Sequence, residues 1–174
     1  MTGFFWGFLL VFLDFSLNLN GHEIGLFPDF LGFLIIFRAA RRMGTRSSFF
    51  PQLARIGRMM LVFSAGLYLL DALGITQNLG TLGHFLSLFC TAAGLWAALL
   101  LTRAVQELQV LHSCDLNADA LRSAWNVMAV CQMVSYLFLM NVLLSTVFSL
   151  IAFGASIYYL TRFSCCSRLW SDRV

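Results

Sequence analysis

LDFSLNLNGHEIGLFPDFLGFLIIFRAARR, residues 13–42, is the stretch on which the fold turns. An acid, Asp14, sits inside an apolar run. A polar knot follows from Asn18 to Glu23, and a second apolar run is broken by Pro28-Asp29 before it stops at Arg38, Arg41 and Arg42. Water-soluble chains rarely alternate this way. In a bilayer the same pattern is a helical hairpin with acids at depth and a basic stop on one side.

Composition points to the same solvent. The 174 residues are 60% hydrophobic and 11% charged. Soluble domains carry about a quarter charged residues, so this chain has too few charges to cover a water-facing surface of its size. The length suits a single transmembrane helical domain, residues 1–174. A net charge of +3 is too small to argue for nucleic acid. The five cysteines, Cys90, Cys114, Cys131, Cys165 and Cys166, form no CxxC or Cys/His zinc spacing, so no metal or redox cofactor is expected. No cleavable signal is visible at MTGFFWGF, and the first helix is expected to stay.

Read in order, the chain gives six apolar segments. The first covers roughly residues 3–19, where Gly3 and Gly7 make a GxxxG pair and Asp14 and Asn18 extend that stripe at helical spacing. The second covers roughly residues 24–37. Either its helix begins at Pro28 with an extended lead-in, or one span is kinked there. Arg38, Arg41, Arg42, Arg46, Arg55 and Arg58 crowd the next connection, whose Phe49, Phe50, Leu53 and Ile56 suit a short amphipathic piece on the membrane surface. The third segment (59–75) puts Ser64, Tyr68 and Asp71 on one stripe, and the fourth (82–102) does so with His84, Ser87, Thr91, Gly94 and Ala98. Asp115-Leu-Asn-Ala-Asp119 resembles a helix start. Residues 121–160 are too long for one span and are expected to divide near Met140-Asn141. The sixth stripe carries Ser145, Ser149, Ala152, Ser156 and Tyr159.

All 11 basic residues are arginine. With the N-terminus inside, every one falls on the cytoplasmic side, and the three opposite loops have none. The expected fold is therefore all-α: a polytopic bundle of six transmembrane helices in three hairpins, with both termini cytoplasmic.

Asp14, Asn18, Asp29, Asp71 and His84 then gather toward the outer side as candidates for one polar pocket, with His22 and Glu23 in the loop beside them. Acids within spans usually face a cavity or the bundle interior. The plainer reading places Asp14 and Asp71 at headgroup level, Asp29 as a helix-start residue and His84 as a satisfied cap. Arg38, Arg41, Arg42 and Arg46 are candidate contacts for lipid headgroups or a partner; their plainer role is to set topology. No HExxH, GxSxG, CxxC or P-loop is present, so no enzyme is expected.

Phe12-Leu-Asp-Phe15 followed by Ile24-Gly-Leu-Phe-Pro-Asp-Phe-Leu-Gly32 resembles the opening of small uncharacterised integral membrane proteins of Gram-positive bacteria, over about the first forty residues. The resemblance implies a bacterial plasma-membrane address and no particular activity. Six spans in this length with both ends inside are also similar in architecture to the substrate-binding membrane subunits of energy-coupling-factor vitamin transporters, without a substrate motif to match. The expected function is a transport component for a small solute, a cation or a proton. The alternative is an accessory or regulatory membrane protein that docks a partner, or a further copy of itself, through its spans or its arginine loop.

Overall fold

The polar knot is not helix. A computed structural model describes residues 1–12, 16–19, 22–25, 29–73, 81–137 and 142–171. It contains six α-helices and one two-stranded ribbon: α1 (Thr2–Phe12), β1 (Ser16–Leu19), β2 (His22–Gly25), α2 (Asp29–Arg42), α3 (Phe49–Ala72), α4 (Thr81–Leu111), α5 (Ala118–Leu137) and α6 (Val142–Ser171). The strands are antiparallel, pairing Ser16 with Gly25, Leu17 with Ile24, Asn18 with Glu23 and Leu19 with His22. That register leaves Asn20-Gly21 between the paired ends, the dipeptide that most strongly signals a two-residue hairpin connection. Ser16-Leu-Asn-Leu alternates polar and apolar with the period of a strand rather than a helix.

Two expectations change as a result. The GxxxG stripe does not run on to Asn18, because α1 stops at Phe12 and Asn18 lies in β1. Of the lead-in read for the second segment, Ile24 and Gly25 are extended in β2 and α2 starts at Asp29, while residues 26–28 lie outside the described residues. Asp29 in the first turn of α2 and Arg41 and Arg42 in its last both complement the helix dipole.

Six helices match the six expected segments, but only three are long and apolar enough to cross a membrane: Phe49–Leu70, Phe85–Leu111 and Thr146–Trp170. α1 and α2 have 11 and 14 residues. The long helices overrun their expected ends because tertiary packing continues past the charges. α3 begins at Phe49, and Phe50 and Leu53 are wholly buried. They belong to the core, not to an amphipathic piece lying on a surface. α4 continues beyond Arg103 to bury Ala104, Val105 and Leu108, and α6 runs on to bury Phe163 and Trp170. The division of the last apolar run falls between Leu137 and Val142, where it was expected, and α5 opens at Ala118 with Asp119 in its first turn.

Each helix packs on its neighbours in the chain, and α1 also packs on α6, so the order closes on itself. Directions alternate, which brings every described arginine to one half of the bundle, the arginine end. The buried core sits in that half too. It draws on Phe4 and Phe8 of α1, Phe33, Ile36 and Ala40 of α2, Leu95 to Leu108 of α4, Leu121 and Met128 of α5, and Tyr159 and Phe163 of α6. At its centre the Phe4 ring stacks on Phe50 at 5.7 Å and meets Phe163 edge-on at 6.5 Å. Large apolar side chains are exposed at both ends, among them Leu69, Leu73, Leu82, Phe85, Phe89, Val147 and Leu150 toward the opposite end and Val110, Leu111 and Leu169 at the arginine end.

The tightest crossing is between α1 and α2. A Cβ on Gly7 would meet Gly32 O at 3.0 Å, and one on Gly32 would meet Gly7 O at 2.7 Å. Gly3 faces Ala39 in the same seam. The glycines let backbones approach where any side chain would hold them apart.

Gly32→Ala is expected to push the two backbones apart and cost about 1–3 kcal/mol, the usual range for overpacking. Gly154→Ala, whose added Cβ meets nothing within 4 Å, is expected to be neutral or stabilising. Thermal unfolding of both variants in one detergent checks the contrast; equal loss in both would contradict the close crossing.

Candidate functional site

The end opposite the arginines collects the elements that carry the expected acids. The ribbon lies there, with β2 against α3. Asp29 opens α2 and is half-buried. The next residue, Phe30, meets Tyr68 of α3 edge-on at 5.6 Å, which fixes the first turn of α2 against α3. Asp71 stands three residues beyond Tyr68, on the same side of α3. Phe63 and Phe89 meet at 5.2 Å and set the register of α3 against α4. Counting outward from that contact along both helices, His84 is level with Tyr68, and Asp71 is level with Thr81. Asp29 thus adjoins the Phe30–Tyr68 contact, and Asp71 and His84 belong to the same ends of α3 and α4. Asn18 is on the ribbon at the same end, paired with Glu23. Asp14 lies outside the described residues, as do the side chains of Asn18, Asp71 and His84. Tyr68 was visible as a stripe residue, but its contact with Phe30 of α2 has no signature in the sequence.

The arginine end is held by polar contacts that spacing does not announce. The Glu107 carboxylate of α4 accepts from the Ser47 hydroxyl, from the Ser48 amide at 2.9 Å and from the Ser48 hydroxyl at 3.1 Å. It thereby ties the α2–α3 connection to α4, while Ser47 Oγ also accepts from the Phe49 amide at 3.2 Å at the start of α3. Gln109 Oε1 accepts from the amides of Leu116 and Ala118 at 3.0 and 3.1 Å, capping α5 from the helix before it. Ser113 and Asn117 take left-handed backbone conformations (φ 46° and 57°) on either side of that turn. Trp170 is nearly buried between His112, at 5.1 Å, and the Arg46 guanidinium, at 5.7 Å from its ring. Burial, with Arg46 adding to it, holds the Met1 ammonium below its ordinary range.

Within the bundle the expected small and polar stripes split by depth. Ser64, Gly94, Ala98, Ala152, Ser156 and Tyr159 are buried, whereas Ser87 and Ser149 are exposed. The buried hydroxyls turn back on their own helices: Ser64 donates to Met60 O at 2.6 Å, Thr102 to Ala98 O at 2.9 Å and Ser156 to Ala152 O at 3.0 Å. Tyr159 OH donates to Ala98 O at 3.0 Å across the α4–α6 contact, and Gln132 Nε2 donates to Ser156 Oγ at 3.1 Å across α5–α6. These groups join helices and leave no reactive pair. All five cysteines are free thiols. Among the described residues no group of three or more His, Cys, Asp and Glu is placed to hold a metal ion.

Arg38, Arg41 and Arg42 are exposed on the last turns of α2. Arg46 differs from them, since its guanidinium rests on Trp170.

The chain matches no protein-family profile, no curated protein and no solved structure.

Gln109→Ala is expected to leave two backbone N–H groups without an acceptor, at a cost of about 1–3 kcal/mol. Faster amide exchange at Leu116 and Ala118, with a lowered unfolding temperature, is the readout. Unchanged exchange there would remove Gln109 from the role of a cap.

Proposed function

We propose that this chain is a six-helix, multi-pass protein of a bacterial plasma membrane, with both ends inside, and that its outer end forms the polar site of a transport component. The ligand class is a small polar solute, a cation or a proton. Support for the membrane reading comes from the three long apolar helices and from the direction of the chain. α4 and α6 run the same way, so if both cross, α5 must return the chain between them, although its own 20 residues are less apolar.

The single observation that carries the site is the ribbon. At 1.5 Å per residue α1 and α2 reach only about 16 and 21 Å, short of the ~30 Å hydrocarbon core. The first hairpin therefore brings non-helical backbone toward membrane depth. Such backbone is tolerated only where it is buried in protein or lines water. At the same end stand the starts of α2 and α4 and the end of α3, with Asp29, His84 and Asp71. Acids so placed suit a cation or proton, and a helix start with unpaired amides suits a polar solute.

A second reading has its own observation. The outer halves of α3, α4 and α6 expose Leu69, Leu73, Phe85, Phe89, Val147 and Leu150, a surface that suits a docked membrane partner or a second copy as well as lipid. A stoichiometric partner retained through mild-detergent purification, in a chain whose acids can be neutralised without effect, favours this accessory role.

Asp29→Asn and Asp71→Asn are each expected to lower proton or cation flux into proteoliposomes, or uptake of the responsive solute, at least tenfold while the protein still inserts. Full activity in both variants sinks the transport reading. Orientation is checked separately at the exposed Cys165. A membrane-impermeant maleimide is expected to label it in opened cells and not in intact ones.

A further inference from the structure

Arg38, Arg41 and Arg42 of α2 and Arg58 of α3 do more than share one end of the molecule: they share one face of one hairpin. A Cβ on Gly57 would meet Phe37 Cα at 3.3 Å, so positions 37 and 57 oppose each other in the α2–α3 contact. Arg38 and Arg58 each follow that contact by one residue. In two antiparallel right-handed helices a step of one residue, about 100°, turns both chains toward the same side of the pair. Arg38 and Arg58 thus flank one groove at one level. One turn nearer the arginine end come Arg41 and Arg42 on α2, so two tiers of guanidinium lie about 5 Å apart along the hairpin, whereas Arg55, two residues before Gly57 and about 200° round α3 from it, stands on the side turned away from α2.

This face is unoccupied by the rest of the bundle. α1 meets α2 through Gly32, Ile36 and Ala39, and α4 meets α3 through Phe63, both away from the arginines. All four arginines of the face are exposed. None takes part in an ion pair among the described residues. Moving outward along the same face the side chains become apolar. Leu34 is one turn beyond Arg38 and Leu31 two turns beyond it, while Val62 is one turn beyond Arg58; Leu31 and Val62 are 40% and 71% exposed. Positive charge at one level and an exposed apolar track leading away from it match a single kind of ligand, an anion with a hydrocarbon tail.

We propose that the α2–α3 face binds an anionic phospholipid of the inner leaflet, its phosphate diester held between Arg38 and Arg58 and its acyl chains along Leu34, Leu31 and Val62. Setting topology requires only that arginine lie on the cytoplasmic side. It does not require Arg38 and Arg58, from two helices, to flank one groove at one level with Arg41 and Arg42 a turn away. Arginine rather than lysine suits the task, because its planar fork bonds two phosphate oxygens at once. A lipid with two phosphates would engage both tiers. Arg46, committed to Trp170, and Arg55, on the far side of α3, are not part of the site, and Arg58 is.

The proposal rests on the membrane reading, which alkaline carbonate extraction of membranes tests by itself: release of the chain sinks that reading, whereas retention leaves the lipid site to stand or fall alone. The site is tested with the purified full chain in mild detergent, supplemented with phosphatidylglycerol, phosphatidylcholine or inorganic phosphate, by thermal unfolding and by native mass spectrometry of retained lipid. Phosphatidylglycerol is expected to raise the unfolding temperature by several degrees and to be retained; the other two are not. R38Q/R58Q is expected to weaken phosphatidylglycerol binding about tenfold or more, and R103Q/R168Q, which removes the same charge elsewhere, to leave it unchanged. Should the first pair fail to fold, R38Q and R58Q singly are each expected to weaken binding several-fold. Equal stabilisation by phosphatidylcholine, equal loss in R103Q/R168Q, no loss in the Arg38 and Arg58 variants, or a full effect from inorganic phosphate overturns the proposal.

Discussion

Backbone amides and carbonyls must find partners wherever water is scarce, and the arrangement of this chain follows from that constraint. Four of its helices are long enough to satisfy most of their backbone internally. The first hairpin is not. Pro28 cannot donate to a helix that arrives from before it, and α2 starts only at Asp29. Ser16–Leu19 and His22–Gly25 meet the demand differently, by pairing with each other. A ribbon is a costly choice in hydrocarbon, because each strand still has an outer edge. Its position against α3 gives that edge protein neighbours. On the proposed reading the same need for polar neighbours makes this end a site.

The opposite end solves a packing problem. α1 has 11 residues and no charge to anchor it. It is held by a seam of small residues, Gly3 and Gly7 against Gly32 and Ala39, and by Phe4, whose ring reaches α3 and α6. Around that seam the connections are fastened by side chains from other helices, Glu107 on Ser47 and Ser48, and Gln109 on Leu116 and Ala118. One half of the molecule is therefore closed and cross-braced. The other exposes Phe85, Phe89 and Val147 and gathers acids.

Surface charge divides along the same axis. Arginines occupy the braced half and the membrane-depth acids the other. On the proposed reading one set of residues on the α2–α3 face serves two purposes: the arginines that would fix orientation also stand at a height and on a side suited to a phosphate diester. A bound lipid there would brace the hairpin whose other end carries Asp29 and Asp71, linking the leaflet on one side to the polar site on the other.

The chain's own sequence determined the number of helices, the division of the last apolar run between Leu137 and Val142, the helix start at Ala118 and the arginine asymmetry. Each depends on local quantities, namely hydropathy over a turn or two, capping residues and charge, and these act without knowledge of the neighbours. The glycine seam was legible on one side only, since Gly3 and Gly7 declare a close contact but do not name Gly32. Asn20-Gly21 carried the signal for the ribbon, and the surrounding apolar residues masked it as a continuation of helix. Helix ends were misjudged at Phe49, Leu111 and Ser171 because burial against other helices, not local charge, sets where those helices stop. Tertiary structure alone decided that Tyr68 meets Phe30 of α2, that Arg46 rests on Trp170 while Arg58 stands beside Arg38, and that Glu107 and Gln109 act as braces. The reason is the same in each case: the partner lies dozens of residues away, and only the crossing of helices brings it within reach.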